Sequence, residues 1–382
     1  MKTRKKSMKI IYCLSSLYKA GGMERVVTNK ANYLVNHGFE VGIITTDQKQ
    51  RENYFDLDAA ITCIDLGINY EDNNGKGLFQ KIGSYPKKQR LHRRLLEEQL
   101  KQLRADIVIS LFDHDASFLW KLNDGSHKFL EIHFSRFKRL QYGKKGVVGM
   151  VNRYRSRLDL AYASKYKRFI VLTEEDRGYW GNLKNIAVIP NANSFEPEKV
   201  SNVDQKMVIA VGRLEHQKRF EDLIRAWTQV MPDFPDWKLR IFGSGEQRDE
   251  LQEMVTDLNL TDYISLCQPV RDVESAYLTS AIAVLTSRYE GMPMVLLEAQ
   301  ACGLPLVSYA CKCGPKDIIT DGQNGFLIAE GDHITLAQKL KVLMGDDALR
   351  RRMGKAAKAM SQRYSEDTVM RQWINLLNGV RN

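Results

Sequence analysis

The stretch from Ala281 to Ser308 leaves this chain few architectures. Ala281-Ile282-Ala283-Val284-Leu285 is a short apolar run with the length of a buried strand. Ser287 to Met292 reads as a loop. Pro293 suits the first turn of a helix, where its missing N–H leaves no bond unmade. That helix, 293–302, stops at Gly303, the residue type that tolerates left-handed backbone past a helix end. Pro305-Leu306-Val307-Ser308 then begins another strand. A strand–helix–strand unit of this size belongs to the α/β class.

Two glutamates stand oddly in the unit. Glu290 lies in the loop beyond the first strand, and Glu298 sits inside the helix among Val295, Leu296, Leu297 and Ala299. A carboxylate in so apolar a helix is expected to be paired, hydrogen-bonded or used by a ligand. From Pro293 to Glu298 the helix advances about 7 Å, so the two carboxylates could grip hydroxyls at different points of one polar ligand. The helix N-terminus would face any phosphate between them. The plain alternative makes both residues solvated.

Here the residues carry a resemblance. Glu290-Gly291-Met292-Pro293 followed by Glu298-Ala299 resembles the paired-glutamate motif of the retaining glycosyltransferases of family four, the group one transferases of GT-B fold. The likeness extends through Ala301-Cys302-Gly303-Leu304-Pro305-Leu306-Val307 to Asn324-Gly325-Phe326-Leu327. Many bacterial enzymes of capsule, exopolysaccharide and lipopolysaccharide synthesis belong to that family. The resemblance covers the second half of the chain closely and the first half more loosely.

With 382 residues the chain is long for one core and comfortable for two domains. Neither its 43% hydrophobic nor its 27% charged content departs from soluble globular usage. No apolar run reaches the length of a membrane-spanning helix. The N-terminal apolar segment Ile10–Leu17 is short and interrupted by serines, so it reads as a buried strand rather than a secretion signal, and a cytoplasmic protein is expected. The six cysteines are expected to be reduced; Cys311-Lys312-Cys313 has no second cysteine pair to complete a metal site. Charge is unevenly spread. Residues 1–200 hold 35 Lys and Arg against 22 Asp and Glu, so all of the +11 net charge falls in the first half. Such a face suits an anionic membrane surface, a phosphorylated acceptor or nucleic acid.

In chain order, strand Lys9–Leu14, loop Ser15–Gly22, helix 24–36 and strand 39–44 form a first βαβ unit. Gly21-Gly22 allows backbone amides to approach a phosphate closely, although no Gly-x-Gly-x-x-Gly fingerprint is present. Residues 69–85 read as a polar loop, Lys87–Leu103 as a basic helix, and Ile107–Leu111 and Phe129–Ile132 as strands. The second of these ends at His133, a structural residue or a ligand-facing one, with His114 its rival. A basic, aromatic segment, 136–157, follows. Arg168–Leu172 is a strand, and Glu196–Asp204 reads as the linker. The alternation restarts at Met207–Val211; Arg213 and Lys218 then straddle a turn at a strand's carboxyl end, where they could clamp a diphosphate. Residues 336–364 read as helical and 367–380 as a last amphipathic helix.

The expected fold is therefore α/β, two doubly wound Rossmann-like domains, which the resemblance makes a GT-B pair facing a central cleft. The domains are placed at 1–195 and 196–365, with 366–382 crossing back to the first. The resemblance implies a nucleotide-diphosphate-sugar donor, UDP above GDP, and a glycan or polyprenyl-diphosphate-linked acceptor. It implies that Glu290 holds donor-sugar hydroxyls, Glu298 the ribose, and His133 faces the donor sugar. Gly21 and Gly22 would approach the donor diphosphate, Val270 would lie where the base packs, and Arg213 and Lys218 would carry the diphosphate charge. Gly212, Gly291, Met292, Pro293, Met294, Val295 and Leu296 complete the implied substrate-binding set. No metal or cofactor is expected. The rivals are a nucleotide-sugar epimerase of the same fold and, from charge alone, a nucleic-acid binder without a recognisable motif.

Overall fold

The structure is a computed structural model that describes residues 7–73, 78–136, 138–141 and 146–380. Two compact units emerge. The first comprises residues 1–172, 177–189 and 370–382, the second 173–176 and 190–369.

The first unit is built on seven parallel strands: β1 Lys9–Leu14, β2 Glu40–Thr45, β3 Thr62–Asp65, β4 Ile107–Ser110, β5 His127–Glu131, β6 Arg168–Val171 and β7 Ile186–Val188. Their order in the sheet is β3-β2-β1-β4-β5-β6-β7. The central strands β1 and β4 are buried on both faces, as a sheet covered on two sides requires. One face carries a core of Ile11, Cys13, Val108, Leu130, Phe169 and Val171. Leu96 and Leu100 of helix Leu78–Leu103 and Leu160 and Ala163 of helix Gly146–Ala163 pack onto it.

The second unit repeats the scheme with β8 Met207–Val211, β9 Lys238–Phe242, β10 Ile264–Cys267, β11 Ile282–Leu285, β12 Leu306–Tyr309 and β13 Gly325–Ile328. The order is β10-β9-β8-β11-β12-β13, again all parallel. In both sheets the strand order reverses next to the first strand, between β1 and β4 and between β8 and β11. Such a switch point opens a crevice at the strands' carboxyl ends, where ligands of doubly wound sheets bind.

Several expectations need correction. The helix expected from Lys87 already begins at Leu78 and carries Pro86 inside it, so most of the expected 69–85 loop is ordered as turn and helix; residues 74–77 lie outside the described residues. The single helix expected over 336–364 is two, His333–Gly345 and Asp347–Ser361, parted where the Asp346 carboxylate accepts a hydrogen bond from the Leu349 amide. By its contacts the chain passes between the units at Ile189–Pro190, and residues 196–204, read as the linker, lie within the second unit, mostly exposed but anchored by a few buried side chains. There Val203 is buried, and the Ser201 amide and hydroxyl donate to the carbonyls of Cys302 and Ser280.

Candidate active site

In the second unit the two loops at the switch point are knitted together. Gln217 donates from its side chain to the Tyr289 carbonyl at 2.9 Å and accepts on its own carbonyl from the Arg288 amide at 2.9 Å. The Thr286 hydroxyl donates to the Lys218 carbonyl, and Arg288 bonds the His216 carbonyl and Glu221. These bonds set the Lys218 ammonium 2.7 Å from the Glu290 carboxylate, with both side chains almost wholly buried. Glu290 is therefore no solvated loop residue. Gly212 lies alongside: a Cβ there would press on the Lys218 side chain at 3.0 Å. Arg219, next in the chain, adopts left-handed backbone at φ 54° and is held by Asp222 and Glu330. Arg213, by contrast, is 65% exposed and forms its ion pair with Glu215, 2.9 Å away. The turn thus offers one buried cation already opposite a carboxylate and one exposed cation.

Pro293 stands one residue outside the helix Met294–Ala301 rather than in its first turn, and its carbonyl accepts from the Leu296 amide. Gly303 has the left-handed φ of 76° expected of it. Met292 and Pro293 are buried, the Met292 sulfur accepting from the Asn191 amide at 3.3 Å. Gly314 presses so closely on Met292 and Pro293 that a side chain would not fit. Gly291, Met294 and Val295 are half-buried and could face a ligand. The Leu296 side chain is enclosed in the core, so only its main chain is free to serve one. Val270 is exposed just past β10, three residues from its end.

Glu298 is buried, and both of its oxygens are engaged: Ser194 donates to one at 2.6 Å and Tyr277 to the other at 3.2 Å. The reading of Glu298 as an exposed helix position fails. Its partners had no local signal in the sequence, because Ser194 and Tyr277 reach it from distant parts of the chain.

In the first unit, Gly21 caps the helix Gly22–Asn36, which starts two residues earlier than expected, and the Glu24 side chain fills the space a Gly21 side chain would need. His133 follows β5 with its side chain 5% exposed, and its Nε2 lies 3.0 Å from the Glu131 carboxylate. The ring N–H is not aligned for a hydrogen bond along that line. Glu131 also pairs with the buried Lys30. Burial alone would raise the Glu131 pKa, but Lys30 and His133 outweigh it and hold the carboxyl near 2. Glu131 and His133 are two residues apart, the spacing that puts strand side chains on one face. His114 instead stacks on Tyr70, with ring centroids 3.8 Å apart.

Asp-x-Asp spacing occurs twice, at Asp56-Leu57-Asp58, where Asp58 accepts from the Ala60 amide, and at Asp113-His114-Asp115. Asp113 is used as a cap for the His114 amide and Asp115 is buried, so the pair is committed to the fold. Among the described residues no group of three or more His, Cys, Asp or Glu is placed to hold a metal ion.

Two family models match the chain one after the other: Glycosyltransferase Family 4 over residues 20–193 and Glycosyl transferases group 1 over 192–360. The chain belongs to these glycosyltransferases. Among its relatives is the amylovoran biosynthesis glycosyltransferase AmsD of Erwinia amylovora, 26% identical over 97% of this chain and 99% of that protein. Another is a Campylobacter jejuni α-1,4-N-acetyl-D-galactosaminyltransferase named for a diNAcBac-PP-undecaprenol-linked acceptor, 25% identical over 98% and 99%. A mutant of S. aureus TarM, solved with Fondaparinux, α-GlcNAc-glycerol and UDP, superposes with a TM-score of 0.79 at 19% identity, covering 97% of this chain and 100% of that one. The two parallel sheets of this glycosyltransferase are thus those of the GT-B fold.

Proposed function

We propose that this glycosyltransferase moves a hexose or N-acetylhexosamine from a UDP-sugar, with retention at the anomeric carbon, to a glycan or polyprenyl-diphosphate-linked acceptor in cell-surface polysaccharide synthesis. The observation that carries the reading is the buried Lys218–Glu290 pair at the β8–β11 switch point, joined there by Arg213. UDP in the TarM complex and the undecaprenol-linked acceptor of the Campylobacter relative support the choice of donor and acceptor.

The residues divide the work by charge. As the bond between the anomeric carbon and the diphosphate breaks, negative charge accumulates on the β-phosphate. Lys218, Arg213 and the N-terminal end of helix Met294–Ala301 stabilise it there. Glu290 turns from Lys218 toward donor-sugar hydroxyls. Glu298 takes the ribose, because a carboxylate with two donors retains lone pairs for more. Neither carboxylate acts as a nucleophile. His133 and the Gly21–Gly22 turn serve the donor from the first unit, and the scheme needs no metal. The basic helices of that unit dock on an anionic inner-leaflet surface. Among the described residues no helix is long and apolar enough to cross a membrane.

A donor screen with purified protein tests the reading: each common UDP- and GDP-sugar is supplied and released nucleotide is scored, with and without EDTA. Release from a UDP-sugar, unchanged by chelator, is expected. A new sugar nucleotide formed without acceptor would instead establish the epimerase, which the comparisons do not favour. Loss of activity in EDTA, restored by Mg2+, would end the metal-free scheme.

A further inference from the structure

Behind His133 lies a buried charge cluster that no step above uses. Lys30, on the helix after β1, is 5% exposed and ion-paired with the Glu131 carboxylate. Its ammonium sits 3.9 Å above the ring of Trp373 and 5.9 Å from the ring of Tyr12. The same Glu131 oxygen that meets Lys30 lies 3.0 Å from His133 Nε2. Trp373 and Tyr12 are themselves enclosed, and Lys30 and Glu131 are buried with them. Both imidazole nitrogens are buried without an aligned hydrogen-bond partner among the described residues, and Nε2 is the one that lies against the Glu131 carboxylate, leaving Nδ1 on the other side of the ring.

An unpaired buried polar atom is costly in a finished core. A ring nitrogen left open beside a buried carboxylate is what a ligand-facing histidine needs. Which nitrogen carries the proton follows from what the other side of the ring meets, and a carboxylate holds that proton on the nitrogen it faces. We propose that Glu131, clamped by Lys30 under Trp373, is a positioning residue that keeps His133 protonated on Nε2 and presents Nδ1 as a hydrogen-bond acceptor to a hydroxyl of the donor sugar. The inference rests on the donor-facing role of His133 proposed above. Lys30 and Trp373 act through Glu131 and touch no substrate.

A kinetic cycle separates the two claims. Nucleotide release is measured on the full chain, with the UDP-sugar that the wild type turns over, for His133→Ala, Glu131→Gln and the double variant. Glu131→Gln leaves Lys30 as a buried ammonium without its counter-charge, which risks misfolding. Lys30→Met/Glu131→Gln, which removes both charges, is therefore run beside it, each variant checked by thermal melting. Glu131→Gln should lower kcat by roughly 10–100-fold, the scale of losing an orienting partner behind a functional histidine, and add nothing to His133→Ala. Histidine ring nitrogen NMR, with the His133 signal assigned by its loss in His133→Ala, should show the Nε2–H tautomer in the wild type. Its population should fall in the Lys30→Met/Glu131→Gln variant. Multiplying rate effects, or a tautomer indifferent to Glu131, would overturn the positioning role while leaving His133 in the site. Wild-type rates in His133→Ala would remove His133 from the site, and the positioning role with it.

Discussion

Lys218 and Arg213 test the charge argument differently because their surroundings differ. Each→Ala substitution should lower turnover by roughly 10²–10³, the cost of losing one charge-stabilising group. Only Lys218→Ala should also lower the melting temperature, since it leaves Glu290 buried without its partner, whereas Arg213 pairs in solvent with Glu215. Equal melting of both variants would contradict the buried pair. Glu298→Gln should weaken UDP binding, read by titration calorimetry, with the fold intact because the amide oxygen can accept from one of the Ser194 and Tyr277 hydroxyls while its NH2 donates to the other; wild-type affinity would end the ribose assignment. Asp115 offers a pH test. Burial, then the neighbouring Asp113 carboxylate, pushes its pKa up to about 7. An unfolded aspartate titrates near ~4. Between those values the folded chain holds a proton that the unfolded chain has released, so stability falls as pH rises through the window. Asp115→Asn should therefore raise the melting temperature more at pH 8 than at pH 5; the opposite ranking would show that the group is not held protonated. At this scale the sequence marked Glu298 as a carboxylate in need of partners and set Glu290, Arg213 and Lys218 in turns beyond strand ends, where the structure has them, while their roles toward a donor came from the resemblance. Ser194, Tyr277 and Lys30 were not legible, since only the folded chain brings them to their carboxylates.

Elements were legible where the hydrophobic pattern was strong. The strands around Cys13, Val108, Ile209 and Val284 fall within a residue or two of their expected bounds, because a run buried on both faces has no competing reading. Helix ends were harder. The helix expected from Lys87 begins at Leu78 and runs through Pro86, and the Asp346 cap parts two helices within one continuous helical pattern. The basic segment 136–157 shows what side-chain direction adds. Residues 137 and 142–145, including Lys144 and Lys145, lie outside the described residues. The helix Gly146–Ala163 turns Met150, Val151 and Tyr154 outward with Arg153, Arg155 and Arg157, Met150 and Tyr154 each 63% exposed. It shares its sheet face with helix Leu78–Leu103, whose Arg90, Arg93, Arg94 and Lys101 are also exposed. Exposed apolar side chains among arginines suit a lipid interface, at roughly 1 kcal/mol per basic residue near an anionic bilayer. The protein should co-sediment with anionic liposomes at low salt, much less at high salt. Binding should weaken when Arg153, Arg155 and Arg157 become Glu, and weaken further with Met150→Ser and Tyr154→Ser. Equal recovery on neutral and anionic vesicles would leave a soluble enzyme with a soluble acceptor.

Over the whole molecule, the chain does not finish one unit before starting the next. It leaves the first at Ile189, builds the second through Val369, and returns with Met370–Asn382. The sequence showed an amphipathic last helix, but period alone names no partner for its apolar side. In the structure Met370, Trp373 and Leu377 are buried in or beside the first unit's core, and Trp373 lies over the Lys30 ammonium. A lysine enclosed in protein is stable only with its countercharge and a surface that tolerates it, so the first unit depends on residues that follow the whole of the second in the chain. Trp373→Ala should cost about 3–5 kcal/mol, the usual range for a buried aromatic, and the loss should fall on the first unit. Hydrogen exchange read by mass spectrometry can locate it. Amides of β1, β4 and β5 should lose protection, while those of β8, β11 and the helix Met294–Ala301 keep theirs and UDP binding persists. Trp373→Phe, which retains a ring face above Lys30, should recover most of the protection. Uniform loss across both sheets would mean that the terminal helix supports the second unit as much as the first, and protection unchanged everywhere would mean that Trp373 bears no weight in either.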